Sequence, residues 1–251
     1  MNVGIIGYGK MGREIEVAAK EYGDNIVFIA DSIDTLKESL DKYDSTCIDI
    51  VYEFTEPGSA YNNIVMCIER GISVVSGTTG WLERIDDIRK LCKEVNGTLL
   101  WASNFSISVN LFFRINKYAS KLFNKFAQYE IKVEEIHHKW KKDKPSGTAI
   151  TLVEDIIENI ERKKEWQLLC EGISTKREDT IYVKADRYED VFGIHKVIFY
   201  NDNDEIEIKH KLHNRRSLAE GALLAGHWLV GRKGFYMMDD YINEIFKDTN
   251  L

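Results

Sequence analysis

The feature that most restricts the fold is Gly7-Tyr-Gly-Lys-Met-Gly12, which joins a short apolar run, Val3 to Ile6, to a helical pattern, Met11 to Tyr22. An apolar run that stops at glycines reads as a buried strand. Ile15, Ala18 and Ala19 share one face of the segment after it, as a helix requires. A strand that enters a helix through Gly-x-Gly-x-x-Gly opens an α/β fold with a parallel sheet. Glycines let the backbone approach a pyrophosphate, and the helix N-terminus supplies unpaired N–H groups and a positive dipole end. The second apolar run, Ile26 to Ala30, ends on Asp31, about 20 residues beyond the loop. An acid there accepts from adenosine ribose hydroxyls. The expected ligand is a nicotinamide dinucleotide held by Gly7, Tyr8, Gly9, Lys10, Met11, Gly12 and Asp31. Asp31 favours NADH, and Lys10 leaves some tolerance for NADPH. The plainer alternative is a tight glycine turn with Asp31 simply exposed.

Further alternation follows. Strands are expected at Ile48–Phe54, Ile72–Val75 and Thr98–Ala102, with helices at Ser59–Arg70 and Leu82–Val95. Strands alternating with helices imply a sheet covered on both faces. Gly77-Thr-Thr-Gly80 and Ala102-Ser-Asn-Phe-Ser106 follow two of these strands, at the edge where ligands bind. Thr78, Thr79 and Asn104 can bond a nicotinamide carboxamide or ribose. Turn chemistry explains the same residues equally well.

After Asn104 the pattern changes. A long helix is expected at Val109–Phe126 and a half-buried strand at Tyr129–His137, where Ile131, Val133 and Glu135 alternate with Lys132 and Glu134. A helix is expected from Thr148 to about Lys163. Ile181–Ala185, Lys196–Tyr200 and Glu205–Leu212 read as antiparallel strands, the last two joined by Asn201-Asp-Asn-Asp204. Ser217–Val230 is helical again. A strand-rich second region therefore begins near residue 105.

The densest chemistry lies in Glu135-Ile-His-His-Lys-Trp-Lys-Lys-Asp-Lys-Pro-Ser-Gly-Thr-Ala149. His137 and His138 end a strand and point to opposite sides. Lys139, Lys141, Lys142 and Lys144 follow, then a helix start at Ser146-Gly147-Thr148. Two proton-handling imidazoles, a cation cluster and a helix N-terminus suit a dicarboxylate. The plain alternatives are a buried structural histidine, a solvated basic loop and an ordinary Ser/Thr N-cap.

The 251 residues are 44% hydrophobic, enough for one large core or two modest ones. A net charge of −7 argues against a nucleic-acid or anionic-membrane partner. No apolar run approaches the ~20 residues of a membrane span. Cys47, Cys67, Cys92 and Cys170 form no Cys-x-x-Cys pair and show no metal spacing, so separate reduced thiols, a cytoplasmic location and no metal are expected.

The Glu135–Ala149 stretch resembles the dihydrodipicolinate reductase (4-hydroxy-tetrahydrodipicolinate reductase) family, whose signature is E-x-H-H-x-x-K-x-D-x-P-S-G-T-A. The similarity continues, in order, through Gly7–Gly12, Glu53-Phe-Thr55, Gly77–Gly80, Asn104–Ser106, Arg187 with Asp190 and Gly193, His195, Arg215, Ala219 and Gly221-Ala222. It implies a Rossmann-like dinucleotide-binding domain at 1–106 and 216–251. It implies a central α+β domain at 107–215 with a mixed or antiparallel sheet, which binds substrate and builds a homotetramer. By position His137 would be the catalytic histidine and Lys141 the proton donor. His138, Ser146, Gly147, Thr148 and Arg215 would hold the substrate carboxylates. Phe54 and Thr55 would flank NADH or NADPH, with Gly77, Thr78, Thr79, Ala102, Ser103, Asn104 and Phe105 near the nicotinamide. The implied activity is NAD(P)H-dependent reduction of dihydrodipicolinate in the lysine and diaminopimelate pathway. The chain departs from the family pattern in a shorter glycine loop, Glu53 for Asp, Ser108 for Gly, Glu189, Ile194 and Asn214–Leu218. The alternatives are another Rossmann-type amino-acid dehydrogenase and a non-catalytic NAD-binding sensor.

Overall fold

A computed structural model describes residues 1–169 and 177–247. The chain divides into two compact units, Met1–Asn110 with Arg215–Leu251, and Leu111–Asn214. Cys170 lies outside the described residues; Cys47, Cys67 and Cys92 are free thiols. Among the described residues no helix is long and apolar enough to cross a membrane.

The first unit opens with β1 (Asn2–Ile6), α1 (Lys10–Glu21), β2 (Asn25–Ala30), α2 (Ile33–Lys42), β3 (Ile50–Glu53), α3 (Pro57–Glu69), β4 (Ser73–Ser76), α4 (Ile85–Glu94) and β5 (Thr98–Trp101). Helix α5 (Ile107–Phe123) carries the chain onward. The second unit holds β6 (Glu130–His138), α6 (Gly147–Asn159), β7 (Glu165–Leu168), β8 (Thr180–Tyr188), β9 (Gly193–Tyr200) and β10 (Glu205–Leu212). The chain then returns to the first unit with α7 (Arg216–Leu229), β11 (Gly234–Met237) and α8 (Met238–Ile245).

The first sheet runs β11-β5-β4-β3-β1-β2 with every pairing parallel. Alternate residues of its strands serve opposite layers, as a period of two dictates. Val3, Ile5, Tyr52, Val75 and Leu100 pack on α1, α7 and α8 through Ile15, Ala222 and Ile242. Ile6, Val51, Val74 and Leu99 pack on α2, α3 and α4 through Leu36, Ile64 and Ile88. Each such side chain contributes about 1.5–3 kcal/mol by leaving water. The strand order reverses at β1, so the loops after β1 and β3 open the crevice where doubly wound sheets bind ligands.

The second sheet, β10-β9-β6-β8-β7, is mixed. One face buries Ile131, Val133, Ile181, Val183, Val197 and Phe199 against α6 through Leu152, Val153 and Ile156. Strands β9 and β10 are antiparallel, but β8 runs parallel to both β6 and β7, which corrects the antiparallel expectation for Ile181–Ala185. The reason is the connection: α6 lies between β6 and β8 in the chain, and a strand–helix–strand crossover returns the second strand parallel. Helix α6 also stops at Asn159 rather than Lys163, because Ile160 turns extended. Ser146 caps it by accepting Ala149 N–H at 3.3 Å.

Candidate functional site

In the first unit the glycines have separate jobs. Gly7 has φ +88°, and a Cβ there would lie 2.3 Å from Phe54 O. A Cβ on Gly12 would lie 2.0 Å from Gly7 O, so the helix packs directly on the turn. A Cβ on Gly9 would meet nothing within 4 Å. Gly9 is also the N-cap of α1 and provides no side-chain cap. The helix start is thus open and its first N–H groups lack a side-chain acceptor, which fits a phosphate. Tyr8 N–H donates to Asp31 Oδ1 at 2.8 Å, so the exposed acid is fixed beside the loop. Lys10 is exposed, and Met11 is half-buried in the first turn of α1.

The loops after β3, β4 and β5 meet on this sheet edge. A Cβ on Gly77 would fall 2.1 Å from the Phe54 ring, so Phe54 occupies the space that glycine leaves. Phe54 and Phe105 rings lie 5.9 Å apart. Thr78 O accepts from both Trp81 Nε1 and Trp101 Nε1, at 2.8 and 2.9 Å. Thr79 and Ser103 are exposed, and Ala102 is buried. Asn104 Oδ1 accepts Ser106 N–H at 2.9 Å, which fixes the turn into α5. Beneath them Glu53, with 0% exposure, binds Thr55, Thr78 and Ser76. Burial pushes its carboxyl upward, against these hydrogen bonds, which pull it down.

In the second unit β6 points Ile131, Val133, Glu135 and His137 to its buried face. Glu135 is a hub. Its Oε1 accepts from Arg187 Nη1 and Nη2, each at 3.1 Å, and its Oε2 accepts Ser146 N–H at 3.0 Å. His137 Nδ1 lies 3.5 Å and His195 Nε2 3.7 Å from Oε2. Ser146 Oγ and His195 Nε2 share a hydrogen bond at 3.1 Å. Arg187 Nη2 also donates to Asp143 O at 2.6 Å, tying the lysine loop to β8. Lys141 pairs with Asp143 at 2.9 Å.

Burial dominates the imidazoles. It lowers His137 to about 4, helped by Lys141 and Arg187 and opposed by Glu135. It lowers His195 to about 3, helped first by His137. Both rings are therefore neutral near pH 7. Gly193 makes room for His137: a Cβ there would lie 3.1 Å from Nε2. Glu135, His137 and His195 offer ligand atoms within 4.8 Å of one another, a metal-like grouping. Glu135 is, however, already bound to the Arg187 guanidinium and the Ser146 amide, so its carboxylate is committed to those donors.

The structure brings together His137, Ser146 and the start of α6, with Gly147 exposed and Thr148 half-buried on its first turn. Lys141 joins them through the loop that Arg187 anchors. His138 points to the opposite face of β6. Arg215 belongs to the first unit, where it is the N-cap of α7. Sequence reasoning gave no role to Glu135, Arg187, His195 or Gly193, although all but the first stand in the matched Arg187–His195 stretch. The spacing of Arg187, Gly193 and His195 from the Glu135–Ala149 run gives no local signal of contact.

These features define a class, a two-unit α/β protein with a Rossmann-type sheet and a second mixed sheet carrying a buried Glu–His–Arg–Ser cluster. The description "Dihydrodipicolinate reductase, N-terminus" matches residues 1–105, and "Dihydrodipicolinate reductase, C-terminus" matches residues 108–242. The chain belongs to the dihydrodipicolinate reductase family. It is 38% identical to the 4-hydroxy-tetrahydrodipicolinate reductase of Christiangramia forsetii, over 99% of this chain and 100% of that one. It is 34% identical to the enzyme of that name from Archaeoglobus fulgidus, over 82% of this chain and 79% of that one. Among solved structures, the dipicolinate-bound dihydrodipicolinate reductase of Paenisporosarcina sp. TG-14 shares the fold at TM-score 0.75 and 20% identity, covering 94% of this chain and 97% of that one.

Proposed function

We propose that this chain reduces dihydrodipicolinate, presented as 4-hydroxy-tetrahydrodipicolinate, to tetrahydrodipicolinate with a nicotinamide dinucleotide, in diaminopimelate and lysine biosynthesis. One observation carries the proposal: family membership extends along almost the whole chain with the Glu135–Ala149 stretch intact. The open α1 terminus, the tight Gly7–Gly12 packing and Asp31 fit a dinucleotide. Gly7 to Gly12 would hold its pyrophosphate and Asp31 its ribose. Phe54, Thr55, Gly77 to Thr79 and Ala102 to Phe105 would hold the nicotinamide end. When bound, that cofactor supplies the hydride.

The chain's own residues manage charge and protons. Ser146 Oγ and the N–H groups of Gly147 and Thr148 face one substrate carboxylate, with the dipole of α6 behind them. The roles of His138 and Arg215 toward the carboxylates rest on the family resemblance alone. His137, whose Nδ1 lies 3.5 Å from Glu135 Oε2 and whose pKa burial lowers to about 4, is neutral near pH 7 and positions the substrate ring rather than donating to it as an acid. Lys141 then delivers the proton, and Asp143 holds its ammonium. A positioned general acid is worth roughly 10²–10⁴-fold in rate.

Asp31 favours NADH, the assembly is a homotetramer through the second sheet, and the location is cytoplasmic; these three statements rest on Asp31 and on the family resemblance. Kinetics with freshly generated substrate test the proposal. Loss of NADH absorbance that depends on the substrate is expected, with kcat/KM higher for NADH than NADPH. Binding of NADH without turnover would indicate a sensor. Oxidation of an amino acid with NAD⁺ would indicate an amino-acid dehydrogenase.

A further inference from the structure

Glu53 is the last residue of β3 and stands on the last rung of the sheet, in register with Ile6 of β1 and Ser76 of β4. Ser76 is in turn paired with Trp101 of β5. The residues next along the chain are Gly7, Phe54, Gly77 and Ala102, which begin the loops of the ligand edge. A carboxylate here lies directly under those loops, and it is wholly buried.

Burial raises the Glu53 pKa, and its hydrogen-bond partners pull it back toward the ionised form. Thr55 Oγ1–H donates to Glu53 Oε1, and Ser59 Oγ lies 3.1 Å from Thr55 Oγ1 and 3.3 Å from Glu56 O. Thr55 N–H donates to Thr78 Oγ1 at 2.9 Å, so the Thr78 hydroxyl proton is directed to Glu53 Oε1 at 3.0 Å. Thr55 N–H also reaches Oε1 at 3.2 Å, and Ser76 Oγ–H reaches Oε2 at 2.6 Å. One amide N–H and three hydroxyls are within reach of the carboxylate, a set that can supply donors to its ionised form. Among the described residues no Lys, Arg or His forms an ion pair with it. Glu135, the other buried acid described above, has Arg187. A buried anion satisfied only by dipoles still attracts a cation placed against its loops.

We infer that Glu53 is an electrostatic positioning residue of the dinucleotide site, whose buried negative charge makes the site bind the oxidised, positively charged nicotinamide more tightly relative to the reduced, neutral one. This rests on the dinucleotide reading above. Glu53 then favours the loss of hydride from the bound cofactor, because positive charge grows on that ring as hydride leaves.

The test is a pair of binding constants, measured by titration calorimetry with NAD⁺ and with NADH and no substrate. Glu53→Gln keeps the shape: its oxygen can accept the three donors at the Oε1 position, and its amide can donate to Ser76 Oγ. It removes only the charge. The ratio Kd(NADH)/Kd(NAD⁺) is expected to fall by ~10-fold or more. Glu53→Asn is a second neutral variant should the first not fold. Ser76→Ala keeps the charge and removes one hydrogen bond, and its ratio is expected to stay within about 2-fold of wild type. A purely structural role for Glu53 would weaken both nucleotides equally. An unchanged ratio in a neutral variant that binds both nucleotides overturns the inference and leaves the dinucleotide site intact. Failure of the wild type to bind either nucleotide overturns the site and the inference together.

Discussion

Replacing Arg187 with Met should strand a charge beneath the proposed catalytic histidine. Glu135 is 1% exposed, and the Arg187 side chain is 15% exposed. Both guanidinium Nη atoms lie 3.1 Å from Glu135 Oε1. At about 4 Å between charge centres and an effective dielectric near 20, the attraction is about 4 kcal/mol. Removing one partner of such a pair costs about 3–5 kcal/mol, since the remaining carboxylate stays buried. Glu135→Gln in the same background removes that stranded charge. The double variant should therefore be more stable than the sum of the single losses predicts, by about 2 kcal/mol. Urea unfolding of wild type, both single variants and the double variant measures this. An additive cycle, or an Arg187→Met loss below about 1 kcal/mol, would refute the claim that Glu135 is held by a buried ion pair. The cycle has a catalytic counterpart. Arg187 helps to lower His137, so its removal should raise the histidine's pKa above about 4.

Further tests address the pH dependence, the loops and the chemistry. His137 and His195 are lowered to about 4 and about 3, below their ordinary value. Between those values and about 6.5 the unfolded chain binds more protons, so stability present at pH 7 is lost as the pH falls through that window. Each histidine should account for about 2 kcal/mol between pH 7 and pH 5. His195→Asn should therefore flatten the slope of unfolding free energy against pH, and an unchanged slope would count against a buried neutral His195. Gly77→Ala places a methyl 2.1 Å from the Phe54 ring, so NADH affinity should fall ~10-fold with little change in melting temperature. Unchanged calorimetric affinity would remove Phe54 from the cofactor edge. Lys141→Ala and His137→Ala should each lower kcat at least ~10²-fold with circular dichroism unchanged. Near-normal turnover in both would remove the assigned proton chemistry.

Local patterns were readable where one segment contains its own instruction. The run from Val3 through the glycines into Ile15 specifies strand, turn and helix within a few residues, and the structure has all three. The alternation at Ile131, Val133 and Glu135 likewise marks a strand with one buried face. Strand direction is not a local property, which is why β8 was expected antiparallel and is parallel. Helix α2 escaped notice because only Leu36 and Leu40 of it are buried, leaving a weak apolar stripe. The Ser32–Thr35 capping box was its clearest mark. The same limit hid the site's support. Glu135 meets Arg187 from 52 positions away, and Ser146 meets His195 from 49. Such pairings follow from sheet register, which places Glu135 beside His195 on one side and Ala185 on the other.

The proposed reaction requires a junction of a dinucleotide held on the glycine-lined loops with a dicarboxylate held on the Glu135-supported cradle. A crystal structure of the chain with NAD⁺ and pyridine-2,6-dicarboxylate measures that junction directly. The expected result is a carboxylate of the ligand on the Ser146–Thr148 helix start, with nicotinamide C4 about 3–3.5 Å from the ligand ring. Both ligands bound at full occupancy with nicotinamide C4 more than about 8 Å from the ligand ring would contradict the proposed reaction.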